Sequence, residues 1–500
     1  MVRRKVWPQF VADVFFCLVA LFGAAAQTQP GEPASAPPAS AAAVRVAGID
    51  LSGEWTVRGQ VWNWFQDQNR VKYAFGQSVL RLALNQLCQR LDWRVEIEQP
   101  TLFALPEDAQ LPGMGNALGL GGLYYAANNG RENTASAFLK QAFVDFKGFA
   151  ANGGYLRVGR FEFSDSGQIV PADPTLAFVK RDRLAGRLIG DADWYGIGRS
   201  FDGANLLYEF SRNTSVTLMG ARPTRGVFDV NGMGELDVDT QYADLTRELP
   251  AKESNTEIRI FAIGYHDGRP LLKLDNRPPA LREADTKNIR IGTFGAHWLM
   301  AFGTPIGGWD LTAWGAWQTG RWGVLDHRAE AITGEVGWQP SVPFLHPWLR
   351  AAADYASGDS NPLDGTHGTF IQPLPDERQY ARFPFYTLQN GQDYMGTLLL
   401  RPATHLHFRV DVHKVKLTEH ADLWYEGTGP YQNTSFGYTG QPGRVNGGLA
   451  NYLDGGVDTR LSKRVTLSVY IAALSGKAAL TTLPHGQKAG FAYTELSYKF

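Results

Sequence analysis

From about residue 50 to the last residue, apolar and polar side chains alternate. No other feature restricts the fold of this chain as strongly. In residues 55–61, Trp55, Val57 and Val61 fall on one side, and Thr56, Arg58 and Gln60 on the other. In 92–98, Trp93, Val95 and Ile97 oppose Asp92, Arg94, Glu96 and Glu98. In 405–413, Leu406, Phe408, Val410 and Val412 oppose His405, His407, Arg409, Asp411 and His413. Successive side chains of a strand point to opposite faces, so each segment reads as a strand with one apolar and one polar face. The chain ends the same way: Phe500, Tyr498, Leu496, Thr494 and Ala492 oppose Lys499, Ser497, Glu495 and Tyr493.

Connections come in two kinds. Short turns are read at 86–90, 152–154 and 462–464. Long Gly-, Pro- and Asp-rich stretches are read at 105–135, 162–200, 222–256, 266–288, 355–394 and 418–447. Short turns alternating with long loops are the habit of an outer-membrane β-barrel. The apolar run Ile291–Trp309 has a single titratable residue, His297, and the length of a membrane helix. Its five glycines and Pro305 predict instead two membrane strands joined near Gly303–Gly308.

The N-terminus supplies the destination. Arg3, Arg4 and Lys5 precede the apolar stretch Val11–Leu21, and Ala24-Ala25-Ala26 forms a small-residue cleavage site. Residues 1–26 therefore read as a secretory signal, too short to anchor as a helix. Residues 27–45, rich in Ala, Pro and Ser, read as a flexible leader. Residues 46–500 read as one barrel domain. Of 48 basic and 49 acidic residues, three basic and one acidic lie in the signal, so the mature chain carries −3. That balance excludes a bulk-basic nucleic-acid binder. Charged residues are only 19% of the chain, against roughly 25% in soluble domains. Cys17 is lost with the signal, and the remaining Cys88 has no partner for a disulfide within the chain. At about 25 residues per strand with its connection, the domain holds about 18 strands, enough for an aqueous channel.

Several segments resemble the alginate-export family of outer-membrane porins. The most specific is Asp354-Tyr355-Ala356-Ser357-Gly358-Asp359, leading into Asn361-Pro362-Leu363-Asp364-Gly365 and Gly368-Thr369-Phe370. Gln141–Asp145 with Leu156–Arg160, and Arg187–Gly190 with Trp194 and Gly198–Gly203, are similar to further family elements. The resemblance implies a monomeric 18-stranded barrel with an Arg-lined, electropositive constriction that passes a polyuronate outward. The closing strand ending in Phe resembles those read by the barrel-assembly machinery. A periplasmic export component is a further expected partner, beside the outer-membrane bilayer itself.

A polyuronate carries a carboxylate on every sugar, and the planar fork of Arg meets carboxylates in pairs of hydrogen bonds. The pore-lining candidates are Arg58, Arg81, Arg94, Arg157, Arg259, Arg290, Arg350 and Arg409 on polar strand faces, with Asp354. Arg460 shares its face with Asp454 and Asp458, and Arg160, Arg187 and Arg199 enter through the family motifs. Lipid-facing Arg costs roughly 2–4 kcal/mol at the bilayer midplane, which directs these residues inward. Individually they can brace the wall against Asp145, Asp354, Asp411, Glu96 and Glu495; as a group they form a cationic track. Mixed signs would keep the net field modest.

The row His405, His407, Asp411 and His413 reads as polar lumen lining. Alternate residues on a strand are too far apart to share one metal. Asp359, Asn361 and Asp364, with Asp354, offer oxygens for Ca²⁺, but a turn stabilised by Asx and Gly geometry is the stronger expectation and no cofactor is required. Trp62 and Trp64 are candidate sugar-stacking platforms. Trp424, Tyr425 and Tyr431 are read as stacking or girdle residues, and most of the 14 Trp as girdle. The chain has no G-x-S-x-G, H-E-x-x-H, P-loop or Rossmann signature, so no enzyme is expected. The leading expectation is a channel for an anionic polysaccharide. The alternatives are an uptake porin for small organic anions or oligosaccharides, and a sealed barrel serving adhesion or scaffolding.

Overall fold

The computed structural model describes residues 44–65, 72–109, 118–150, 153–442, 448–477 and 488–500. The signal reading, and all of the leader before Val44, lie outside the described residues. A short strand at Val44–Val46 pairs back on Ile49–Leu51.

Eighteen long strands form the wall: β1 Ile49–Asn63, β2 Lys72–Gln86, β3 Leu91–Phe103, β4 Phe138–Phe149, β5 Gly154–Phe161 and β6 Phe201–Ser211. β7 Thr214–Pro223, β8 Val238–Pro250, β9 Ser254–Asp267, β10 Ile289–Thr304, β11 Gly307–Trp322 and β12 Leu325–Pro340 follow. β13 Trp348–Ala356, β14 Gly391–Ala403, β15 Leu406–Leu417, β16 Gly448–Arg460, β17 Val465–Gly476 and β18 Lys488–Lys499 complete it. Each pairs antiparallel with its sequence neighbours, and β18 pairs with β1 from Glu54↔Lys499 to Asn63↔Gly490, closing the barrel. No described helix is long and apolar enough to cross a membrane; the strands are the crossing elements.

Alternation translates directly into the two faces. Trp55, Val57, Val61, Ile97, Ile260, Ile332, Val410, Val412 and Leu453 stand exposed on the outside. Arg58, Gln60, Glu96, Glu98, Arg259, Glu335, Asp411 and Asp454 are buried on the inside. Turns between β2 and β3, β4 and β5, β6 and β7, β8 and β9, and β16 and β17 are short and mark the periplasmic end. At the other end the connections 104–137, 162–200, 268–288, 357–390 and 418–447 are long. One extracellular connection breaks the rule: β11 and β12 meet in a two-residue turn at Gly323 and Val324.

The apolar run resolves as expected into β10 and β11, joined at Pro305 and Ile306. It reads as unbroken because Leu299 and Ala301 face inward onto Leu176 and Val179, which belong to the short helix Pro174–Val179 and its flank. The long loop expected over 222–256 is a correction. Val238–Pro250 within it is the strand β8. Its outward positions are Asp239, Gln241, Ala243, Leu245 and Arg247, too polar for the alternation to stand out.

The closing seam depends on one glycine. Gly53 and Phe500 exchange backbone hydrogen bonds of 2.8 and 2.9 Å. A Cβ on Gly53 would lie 2.4 Å from the Phe500 ring. Gly53→Leu is therefore expected to displace the terminal ring and destabilise the closed barrel by about 1–3 kcal/mol. The check is the temperature at which the folded band is lost in heat-modifiable gel migration, with Gly59→Leu as control, since a Cβ at Gly59 meets nothing within 4 Å.

Candidate functional site

The long loops fold back into the lumen. Trp62, Phe75, Tyr452 and Phe491 from the inner wall form one buried cluster with loop residues Tyr124, Trp194, Phe228, Phe383 and Trp424. Trp62 stacks on Phe491 with centroids 4.2 Å apart, and Trp64 meets Phe383 edge-on at 5.5 Å. This corrects the aromatic expectations. Trp62, Trp64, Trp424, Tyr425 and Tyr431 are buried in loop packing and present no free ring face to a sugar. Among the described residues Trp62, Trp64, Trp194, Trp314, Trp322, Trp348 and Trp424 are buried, so about half of the Trp fill the interior rather than a girdle. Aromatic area is needed wherever loops must be held inside a barrel.

Two loops run alongside each other at the centre. Gly190 N–H donates to Leu374 O (2.8 Å), Leu374 N–H to Leu188 O (2.9 Å) and Asp376 N–H to Gly186 O (2.8 Å). Gly186 has φ +70°, and a Cβ there would sit 2.6 Å from the Asp376 Cβ. The joined 162–200 and 357–390 loops border two cavities, of about 280 and about 230 Å³, that share Glu377. Arg181, Arg183, Arg187, Asp354, Asp376 and Arg378 line the first; Arg58, Arg81, Asp193 and Glu495 line the second.

Most strand arginines are neutralised. Arg58 pairs with Glu495 at 2.6 Å and also donates to Trp194 O. Arg81 donates to Glu98 (2.7 Å) and Asp193 (2.8 Å), and Arg94 to Glu96. Arg157 pairs with Asp145 (2.8 Å) and Arg160 with Asp202 (2.6 Å). Arg259 pairs with Asp244 (2.9 Å), and Arg409 with Asp411 (2.6 Å) and the loop's Asp182 (3.1 Å). Arg350 bridges Asp310 and Glu335, and Glu335 also takes Arg183 from the loop at 2.9 Å. Arg187 donates to Thr333 and lies 3.6 Å from Asp354, which accepts from Thr333. Arg199 is fully buried and donates to Thr428 O (2.9 Å).

Arg460 stands exposed at the periplasmic end of β16, on the face of Asp454 and Asp458. Arg290 is a correction: it points outward near the extracellular end of β10, across from Arg321. Its neighbours Ile289 and Ile291 take the inner face there, packed with Trp322, so the usual inward preference of Arg is reversed at the rim.

The histidine row has separate partners, with His413 held by Asp393 at 2.9 Å and Asp411 by Arg409. Asp359, Asn361 and Asp364 each accept a backbone N–H two residues ahead, at 2.8–3.2 Å, the Asx geometry expected of a tight loop.

Sequence reasoning named the loop cations Arg187 and Arg199 but missed Arg181, Arg378 and Arg382. Arg181 and Arg378 face the larger cavity and make no ion pair among the described residues. Arg378 lies over the Tyr386 ring at 4.0 Å and donates to Tyr386 O. Arg382 donates to Tyr493 Oη (2.5 Å), again with no carboxylate partner among the described residues. The only signal was Arg spaced among aromatics in 378–386, which a search by two-residue period passes over.

The acids of this constriction are unusual. Burial, then the charge of Glu377, raises the Asp376 carboxyl well above the ordinary carboxylate range; burial, then Asp376, raises Asp191 likewise, and burial raises Glu377. A raised carboxyl favours the fold while neutral. That contribution is complete below about pH 4 and is lost as pH rises through the raised values. Rising pH therefore adds negative charge beside Arg378. The ion selectivity of the channel is expected to shift toward cations as pH rises through the raised range of these carboxyls, read from reversal potentials. Asp376→Asn/Glu377→Gln should flatten that slope.

Comparison with known proteins decides the family. The alginate export family matches residues 116–473, well over half of the chain. The chain belongs to the alginate export family. No curated protein matches its sequence. Solved porins share the fold at low identity. OccAB2 of Acinetobacter baumannii aligns with TM-score 0.55 and 8% identity, over 90% of this chain and 98% of that one. OccK9 (OpdG) of Pseudomonas aeruginosa aligns at 0.51 and 12%, over 90% and 98%. OpdK of Pseudomonas aeruginosa, solved with vanillate, aligns at 0.50 and 9%, over 90% and 98%. This alginate export family member is an integral β-barrel of the outer membrane, with the architecture of a channel.

Proposed function

We propose that this barrel passes an anionic polysaccharide, a polyuronate of the alginate kind, past the constriction formed by its inward loops. The observation that carries the reading is the placement of Arg181 and Arg378 on the larger cavity without ion pairs among the described residues. A carboxylated sugar entering the cavity supplies the missing partners, and neighbouring acids keep its binding weak enough for release. The strand arginines, paired with wall carboxylates, hold the loops and the wall in shape. The barrel acts as a monomer, assembled by machinery that reads the Phe500 strand, and meets a periplasmic export component at its short-turn end.

A second reading rests on cavity size. A space of about 280 Å³ suits one small carboxylate better than a polymer, and the structurally similar OpdK was solved with vanillate. Liposome flux separates the two. Oligouronates that leave vesicles faster through the barrel than vanillate does, and compete with one another at every chain length, support the polymer channel. Rapid vanillate flux with exclusion of all but the shortest oligouronates supports a small-anion porin.

A further inference from the structure

The outer surface of β14–β18 carries a row of five side chains at one level near the extracellular rim. Tyr394 pairs with Lys414, Lys414 with Asn451, Asn451 with Ser475, and Ser475 with Lys488. All five point outward and are exposed. Lys416, next above Lys414 on the same face, lies 5.5 Å from the Tyr394 ring centroid. Directly below the row the wall turns apolar, and Gly396, Val412, Leu453 and Ala473 floor a groove of about 800 Å³. Small side chains at Gly396 and Ala473 leave a depression in the lipid-facing wall on either side of the protruding Val412 and Leu453. The outward positions of these five strands include no Asp or Glu. Among the described residues Lys414, Lys416 and Lys488 form no ion pair. Elsewhere on the rim the outward Arg321 is paired with Asp326 at 2.6 Å; here three lysines stand together without an acid on their face.

We infer that this groove binds a phosphorylated, multiply acylated glycolipid of the outer leaflet, its phosphates on Lys414 and Lys488 and an acyl chain in the depression. The row sits where the apolar band ends, which is the depth of lipid head groups. Asn451 and Ser475, between the lysines, offer hydrogen bonds to sugar hydroxyls. Lys414 and Lys488 are three strand spacings apart, about 14 Å along the row. That separation suits a disaccharide head with a phosphate at each end better than the single phosphate of a glycerophospholipid. The site faces away from the pore and is independent of the cargo the channel carries.

The test uses the full barrel refolded in detergent and mixed in turn with diphosphoryl lipid A, its monophosphoryl form and dioleoyl phosphatidylglycerol. Native mass spectrometry counts the complexes. The expected result is a one-to-one complex strongest with the diphosphoryl lipid. Lys414→Ala/Lys488→Ala should weaken it about thirtyfold, from the usual contribution of two interfacial lysines. Lys414→Arg/Lys488→Arg should restore it, and Lys463→Ala/Arg464→Ala at the periplasmic turn should leave it unchanged. Equal binding of the three lipids, or a diphosphoryl complex indifferent to the Lys414→Ala/Lys488→Ala change in a barrel that still shifts on heating in gels, overturns the site.

Discussion

Glu335→Ala will destabilise the barrel by about 3–5 kcal/mol, the usual consequence of removing one member of a buried ion network. Glu335 is fully buried on the inner face of β12 and accepts from Arg183 at 2.9 and 3.0 Å and from Arg350 at 2.9 Å. Alanine leaves both guanidinium groups in a site with 0–1% side-chain exposure. Arg350 retains Asp310, which also accepts from Trp348 at 2.9 Å. Among the described residues Arg183 then keeps its stacking on Tyr380, 3.6 Å from the ring centroid, a contact to Met395 Sδ and the charge of neighbouring Asp182, with no direct carboxylate partner. The loss therefore falls mainly on the 162–200 loop, which Glu335 ties to the wall. Thermal or urea unfolding in detergent measures the global effect, and channel recordings should show larger, noisier conductance as the loop loosens. Glu335→Gln, which keeps an acceptor oxygen, should lose less.

Arg181→Glu/Arg378→Glu should leave the barrel folded and abolish polyuronate binding. Neither side chain holds a wall carboxylate, so the change removes no ion pair among the described residues. It does reverse the sign of the two cations that face the larger cavity without such a partner. Two carboxylates in their place, beside Asp376 and Glu377, repel a polyanion. Block of the open channel by polyuronate should weaken by at least about a hundredfold, taking 1.5–3 kcal/mol for each charged hydrogen bond lost. The reversal potential should shift toward cation selectivity. By contrast, Arg58→Ala or Arg157→Ala unpairs Glu495 or Asp145, and its main consequence should be reduced stability.

The wall was legible because its environment is periodic. Lipid outside and polar groups inside impose a two-residue alternation, and Trp55 to Val61 or Leu406 to His413 record it without ambiguity. β8 escaped because Asp239, Gln241 and Arg247 occupy outward positions near its ends. The inward direction of Arg58, Arg81, Arg94, Arg157, Arg259, Arg350 and Arg409 followed from the same alternation, whereas Arg290 lies at the rim, where lipid no longer forbids it. The partners of those arginines were not legible. Glu98 with Arg81 and Glu335 with Arg350 come from other strands, and Arg183 and Asp182 come from a loop whose path no period announces. The loop cations Arg181 and Arg378 escaped for the same reason, since their positions depend on how Gly186 and Asp376 bring two loops together.

The most direct test of the central claim is single-channel recording of the barrel in a planar bilayer, with purified polyuronate added to one side. The expected result is an anion-selective conductance that polyuronate blocks and that loses its block in Arg181→Glu/Arg378→Glu. A conductance indifferent to polyuronate, or a block unchanged by that substitution, would contradict it.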